Sequence, residues 1–273
     1  MAPDPAEFKC DQPLKKGEIR TLRTGEPPDA CDHTDFMLQK VNGIDVLKLF
    51  KEASPNVARL DMLGGKIDAD GLHIYSGVGS GVIIRDQKQN KHLLTVFHAV
   101  RNHDNNDKPF NIKATLQDGS TYHMHERSSD PKTGLAILDF PADRKVSPPG
   151  LEIEKPSYKK GQPAFGLGFG YGSKDMLLSP GIILGKTSQT DIAARTGAPI
   201  PNEQLPPNFP LVWTNMHTGI GDSGGACISL RGRLQSIIIG GYGNLDTQSV
   251  PAVYAFRLLK KRPETRPGKA PPS

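Results

Sequence analysis

Hydrophobic and polar positions change rhythm partway along the chain. In "DFMLQKVNGIDVLKLFKEA", Asp35 to Ala53, residues Phe36, Leu38, Val41, Ile44, Val46, Leu47 and Phe50 fall mostly at helical spacing. That predicts one or two amphipathic helices, interrupted near Gly43. After Gly64-Gly65 the apolar runs shorten and begin to alternate. "LHIYSGVGSGVII" and "HLLTVFHAV" are β-branched and broken by glycine, as strands of a curled sheet are. "FNIKATLQDGSTYHMHE" reads as a hairpin, two alternating runs around Asp118-Gly119, a dipeptide that tolerates positive φ in a tight turn. "GLAILDF" predicts the next strand. "PADRKVSPPGLEIEKPSYKKGQ" is dense in proline and charge and reads as a linker. Strands resume with "PAFGLGF", "SPGIILGKT", "LVWTNM", "ACISL", "RLQSIIIGG" and "AVYAFRLL".

This divides the 273 residues into an extension over 1–65, partly helical, and a β region over 66–258. Within the β region one unit covers about 66–145, a linker about 141–162 and a second unit about 163–258. A basic, proline-rich tail over 259–273 is expected to be disordered. The 29 glycines and 24 prolines fit many short strands joined by turns. A net charge of +5 is modest and sits partly in the tail, in Lys260, Lys261, Arg262, Arg266 and Lys269, so it reads as solvated charge. No nucleic-acid motif accompanies it, and no nucleic-acid partner is expected. The odd count of three cysteines argues against a disulfide framework. Cys10 and Cys31 stand as a conceivable pair, and Cys227, in an apolar strand, reads as a small core residue. "MAPDPAEFKC" has neither a basic start nor an apolar run, so no classical signal peptide is visible, and no apolar stretch approaches a membrane span. His123 and His125 share a strand face without carboxylate or cysteine partners at ligand spacing, which argues against a metal site.

Against this β background one stretch carries chemistry. "TGIGDSGGACISL", Thr218 to Leu230, fences Ser223 with glycines ahead of an apolar strand. A serine hydroxyl needs a base within hydrogen-bond reach, and the oxyanion it creates needs donors. Glycines let the backbone turn tightly enough for the Gly221 and Ser223 N–H groups to form such a hole. The alternative is a plain glycine turn before a strand. His98 bears on the choice: it directly follows the strand "HLLTVF" in the first β unit, where a histidine can face a serine from the second.

The order "GSGVII", "LLTVFHAV", "ATLQDGSTYHMHERSSDPKTGLAIL", "GLGFGYG", "LSPGIILGKTSQT" and "GIGDSGGACISLRGRLQSIIIGG" resembles that of trypsin-like serine peptidases, and is most like their bacterial HtrA-like branch. The resemblance spans about residues 70–257. It implies a mainly β, chymotrypsin-like fold of two six-stranded antiparallel barrels with the site in the cleft between them. It implies Ser223 as nucleophile, His98 as general base, the N–H groups of Gly221 and Ser223 as oxyanion hole, and a protein or peptide substrate. No cofactor is implied, and no PDZ-like region is expected after the last strand. The first substrate pocket would be walled by His217 to Ile220 and by Ile239 to Tyr242. Of these, His217 and Thr218 would favour a polar or acidic side chain; the alternative is that they sit on the barrel surface and Tyr242 narrows the pocket.

Two departures stand out. The family pattern places the third triad member, an aspartate, where this chain reads Gly134 in "DPKTGLAIL". Asp139 is a poor substitute: five residues along a strand it faces the opposite way, roughly 16 Å off at about 3.3 Å per residue. Asp130, on the preceding turn, is the tentative orienter, with a water or a carbonyl as alternatives. Such a chain is either a serine peptidase with an atypical triad or an inactive relative that binds peptides through the same cleft. The second departure is Asp222, which in trypsin-type members pairs with an N-terminus released by cleavage. "MLGG", Met62 to Gly65, is faintly like such an end, but Asp61 rather than a basic residue precedes it. An internal cation or solvent are the other partners open to Asp222.

Overall fold

The structure is a computed structural model that describes residues 40–41, 44–68, 71–102, 108–109, 111–155, 157–196, 205–242 and 246–261. At 40–41, 65–68, 71–75, 102, 108–109, 195–196, 242 and 246 it describes the backbone alone. Cys10 and Cys31 lie outside the described residues. Chain contacts divide the protein into Met1–Glu52 and Ala53–Ser273.

In the first unit, Lys40–Val41 and Ile44–Asp45 form a two-stranded pair, and helix α1, Val46–Ala53, begins directly after it. Asp45 Oδ1 accepts the Lys48 N–H at 3.0 Å, a side-chain cap on the first turn. Of the helical pattern expected over 35–53, residues 35–39 and 42–43 lie outside the described residues, Lys40–Val41 and Ile44–Asp45 are strand, and the helix starts at Val46 behind the Asp45 cap.

Two closed six-stranded antiparallel barrels lie in the second unit, as the resemblance implies. The first contains β1 Val57–Asp68, β2 Gly71–Arg85, β3 Lys91–Val96, β4 Asn111–Thr115, β5 Thr121–Asp130 and β6 Leu135–Asp139. They are ordered β6-β3-β2-β1-β4-β5 and closed by the β5–β6 pair. The second contains β7 Pro163–Gly168, β8 Leu177–Thr187, β9 Leu211–Thr214, β10 Ala226–Ile228, β11 Leu234–Tyr242 and β12 Asp246–Pro251. Their order is β7-β8-β9-β12-β11-β10, closed by β7–β10.

Alternation decides which side chains fill each barrel. Ile112 and Ala114 on β4 and Tyr122 and Met124 on β5 point inward and join Leu60, Ile83, Leu93 and Leu138 in one core. Lys113, His123 and His125, at the intervening positions, are exposed. Fully burying each Leu or Ile contributes about 1.5–3 kcal/mol. The β4–β5 hairpin turns at Gly119, with φ of 83°, and Asp118 Oδ1 accepts the Ser120 N–H at 2.9 Å. Ala164, Ile183, Val212, Met216 and Cys227 fill the second barrel. Burial pushes the Cys227 thiol up to about 11, so it behaves as a small apolar side chain.

The proline-rich linker is ordered although it contains no strand. Leu151 N–H donates to the Ile83 carbonyl at 2.8 Å on the first barrel, and Glu154 N–H to the Leu234 carbonyl at 2.8 Å on the second. The stretch "AVYAFRLL", read above as a strand, is instead a short 3-10 turn, Ala252–Tyr254, followed by α2, Ala255–Lys260. Buried Ala252, Ala255 and Leu258 recur every third residue, a helical spacing that a two-residue strand repeat cannot bury on one side.

Candidate active site

His98 sits in a single 3-10 turn, Phe97–Ala99, at the end of β3. Phe97, Ala99 and Val100 are buried, while His98 is half-buried. The turn is pinned from the neighbouring strand, since Phe97 N–H donates to the Gly134 carbonyl at 2.8 Å. Its neighbours thus go into the core and leave His98 half-exposed.

Ser223 lies on the tight turn before β10, where Gly221 and Gly224 have φ of 106° and 89°. Ser80, on β2 of the other barrel, holds this turn in three ways. Its N–H donates to the Ser223 carbonyl at 2.8 Å. Its hydroxyl donates to the Gly221 carbonyl at 2.8 Å and accepts the Phe169 N–H at 3.0 Å. Thr95, three residues before His98, donates its own hydroxyl to the Ser80 carbonyl at 2.7 Å. Strand β3 therefore carries both the histidine and part of the clamp on the serine turn. Gly79 reports the same proximity: a Cβ there would stand 3.4 Å from the Ser223 carbonyl oxygen and 3.8 Å from Ala99 Cβ. The structure thus brings the His98 and Ser223 turns together across the two barrels. No sequence signal marks Ser80 or Thr95 beyond the small residues of "GSG".

The Ser223 hydroxyl donates to the Ile239 carbonyl at 3.3 Å, a long bond of the kind that a substrate-free site holds before it tightens. Among the described residues, the N–H groups of Gly221 and Ser223 have no acceptor within the chain. Two donors on adjacent turns of a glycine loop are left for a group from outside.

Asp222 points the other way. It is 3% exposed, and its carboxylate accepts the Gly219 N–H at 2.8 Å and the Gly170 N–H. Alternating glycines in "GLGFGYG" make room for it, because a Cβ at Gly168 or Gly170 would come within 2.4 Å of a carboxylate oxygen. Met62 to Gly65, the segment faintly like a released end, lies inside β1, with Met62 laddered to both Gly77 and Ile112. Burial raises the Asp222 carboxyl above its ordinary value, against the two N–H bonds that pull it down. The folded chain then holds this proton more tightly than the unfolded chain. The contribution of Asp222 to stability is full below the unfolded value and declines as pH rises through the folded one. Asp222→Asn is expected to remove that decline, so its stability relative to the parent rises between pH 4 and pH 7 in urea denaturation. A constant difference across that range would refute it.

The position of the missing aspartate is filled by an apolar side chain. Gly134 is buried with φ of 67°, and a Cβ there would meet Leu205 Cδ2 at 3.0 Å. Leu205 is 1% exposed and had no signal in the sequence. Asp130 Oδ1 accepts the Lys132 N–H at 3.0 Å, within its own turn. Asp139 stands at the far end of the β3–β6 ladder, opposite His92, while Leu135 pairs with Val96 near His98. There Asp139 Oδ1 meets His92 Nδ1 at 2.6 Å and Oδ2 meets Arg127 Nη1 at 3.3 Å. The reading of Asp139 as a poor substitute agrees with that placement.

Of the pocket residues, His217 and Thr218 are half-buried, and Thr218 Oγ1 lies 2.7 Å from Thr247 Oγ1 on β12. The Tyr242 side chain lies outside the described residues. Tyr171, with φ of 57°, covers Gly219, where a Cβ would come within 2.5 Å of its ring.

A family model for trypsin-like peptidase domains matches residues 79–237. No curated protein matches the sequence significantly. Among solved structures, the active form of the Rv3671c protease from M. tuberculosis aligns with a TM-score of 0.61 at 22% identity, covering 81% of this chain and 86% of that one. Its inactive form aligns at 0.56 and 19% identity, covering 77% and 90%. The HtrA-type protease AlgW, with a decapeptide, aligns at 0.60 and 18% identity, covering 78% of this chain and 66% of that one. At these identities the structural likeness carries the double-barrel fold.

Proposed function

Because the chain belongs to the family of trypsin-like peptidase domains, we propose that it cuts peptide bonds through Ser223 and His98 as a dyad, with no carboxylate at the third position. It is a serine-type endopeptidase by family; the assignment of roles rests on the site. His98 takes the proton of Ser223 as the hydroxyl attacks the substrate carbonyl. The N–H groups of Gly221 and Ser223 receive the oxyanion. His98 returns that proton to the amine nitrogen as the peptide C–N bond breaks, the amine departs and an acyl-enzyme remains. His98, neutral again, then deprotonates a water that attacks the ester, and the proton goes back to Ser223 as the acid leaves. The observation that carries this reading is the pair of N–H groups, uncommitted within the described residues, on a turn clamped by Ser80 and Thr95.

A carboxylate in the third position fixes the tautomer of the histidine and stabilises the imidazolium. With Leu205 packed at Gly134, turnover is expected roughly 10⁴-fold below that of a complete triad. The same feature favours a second reading, an inactive relative that binds peptides in the cleft. Labelling with a fluorophosphonate separates the two. The wild-type protein is expected to label, Ser223→Ala not at all, and His98→Ala at least tenfold more slowly. A folded wild type that does not label would leave the binding reading.

A further inference from the structure

Past the serine turn, the segment Met216–Ser223 runs beside strands β11 and β12. Ser223 Oγ touches this pair at the Ile239 carbonyl. Two residues on, Gly241 is laddered to Thr247, and Thr247 is where Thr218 makes its side-chain contact. Two strand residues span about 6–7 Å, the reach of one substrate side chain. The half-buried Thr218 therefore lies beside the strand pair that Ser223 touches, about one side chain's reach along it.

The polarity of that end follows from counting protons. A threonine hydroxyl has one proton and two lone pairs. Thr247 Oγ1, fully buried, donates to the Met216 carbonyl at 2.7 Å, and a carbonyl can only accept. With its proton committed, Thr247 is the acceptor in its 2.7 Å contact with Thr218. Thr218 must then be the donor, and what it has left for a substrate is lone pairs. Thr214 Oγ1, donating to the Thr247 carbonyl at 3.4 Å, adds to the hold on that strand.

We infer that the relay Thr218 to Thr247 to Met216 makes the pocket wall a hydrogen-bond acceptor. It selects, next to the scissile bond, a side chain that donates, such as a carboxamide, over a carboxylate. This rests on the reading of Ser223 as the nucleophile, and it narrows the polar-or-acidic expectation to its donor half. A carboxylate facing Thr218 meets lone pairs only and loses its water without replacement.

The test titrates peptides ending in Gln or Glu against the Ser223→Ala protein by calorimetry, alongside kcat/KM for matched substrates with active protein. The Gln peptide is expected to bind about tenfold tighter or more. Thr218→Val is expected to erase that ratio by weakening Gln. Thr247→Val frees the Thr218 proton to turn outward, and is expected to narrow the ratio by strengthening Glu, which simple loss of packing would not do. Equal or tighter binding of Glu by the parent, binding of neither peptide, or an unchanged ratio in Thr247→Val overturns the relay. A ranking that holds in binding while the active-site parent turns over neither substrate overturns the peptidase reading alone.

Discussion

Gly224→Ala is expected to lose about 3–5 kcal/mol of folding stability and all detectable turnover. Two independent costs meet at this position. Its φ of 89° lies in the left-handed region, which costs an L-residue about 1–2 kcal/mol. Its Cβ would also stand 1.9 Å from the Ser80 carbonyl oxygen and 2.3 Å from Thr95 Oγ1. Neither neighbour can withdraw cheaply: Ser80 is bonded to the Ser223 turn through its N–H and hydroxyl, and Thr95 to Ser80. Gly172→Ala is the control. Its φ is 70° and a Cβ there meets nothing within 4 Å, so only the conformational cost of about 1–2 kcal/mol applies. Urea denaturation of the two variants separates clash from strain. A Gly224→Ala loss no larger than that of Gly172→Ala would show that the barrels yield at this contact.

Ser223→Ala and His98→Ala are each expected to lower kcat by roughly 10²-fold, and the double variant by no more than either single one. In complete triads, loss of the nucleophile or the base costs about 10⁶ and loss of the orienting carboxylate about 10⁴. A protein that starts without the carboxylate has already forgone the larger part. Only the remaining factor is left for Ser223 and His98 to lose, and because they act as one unit they lose it together. Single-turnover kinetics on one peptide substrate reads all three variants. A drop near 10⁶ would mean that another group orients His98 as well as an aspartate does. Additive losses would mean that the two residues do not work as a pair.

What could be read from the sequence was local. The alternation of "NIKAT" and "TYHMHE" dictates which side chains enter the first barrel, and Asp118-Gly119 dictates the turn between them. "GDSGG" and a histidine at a strand end mark the two turns that both approach Gly79. What could not be read depends on packing between distant positions. Ser80 and Thr95 are ordinary strand residues until the second barrel arrives against them. Gly168 and Gly170 look like irregularities until Asp222 needs the space, and Leu205 has no meaning apart from the gap at Gly134. The C-terminal helix was misread because "AVYAFRLL" is short and apolar enough to suit a strand, and only its burial every third residue reveals the helix.

The Ser80 clamp also bears on when the two turns of the proposed dyad can come together during synthesis. Ser80 and Gly221 are 141 positions apart, and the first barrel is complete at Asp139, long before the serine turn leaves the ribosome. Contacts of such sequence separation form late, after the loops between them have closed. On the roles proposed above, a half-made chain has His98 without Ser223, and a newly finished one has the Ser223 turn without its clamp until the barrels dock, so the pair is complete only at the end of folding.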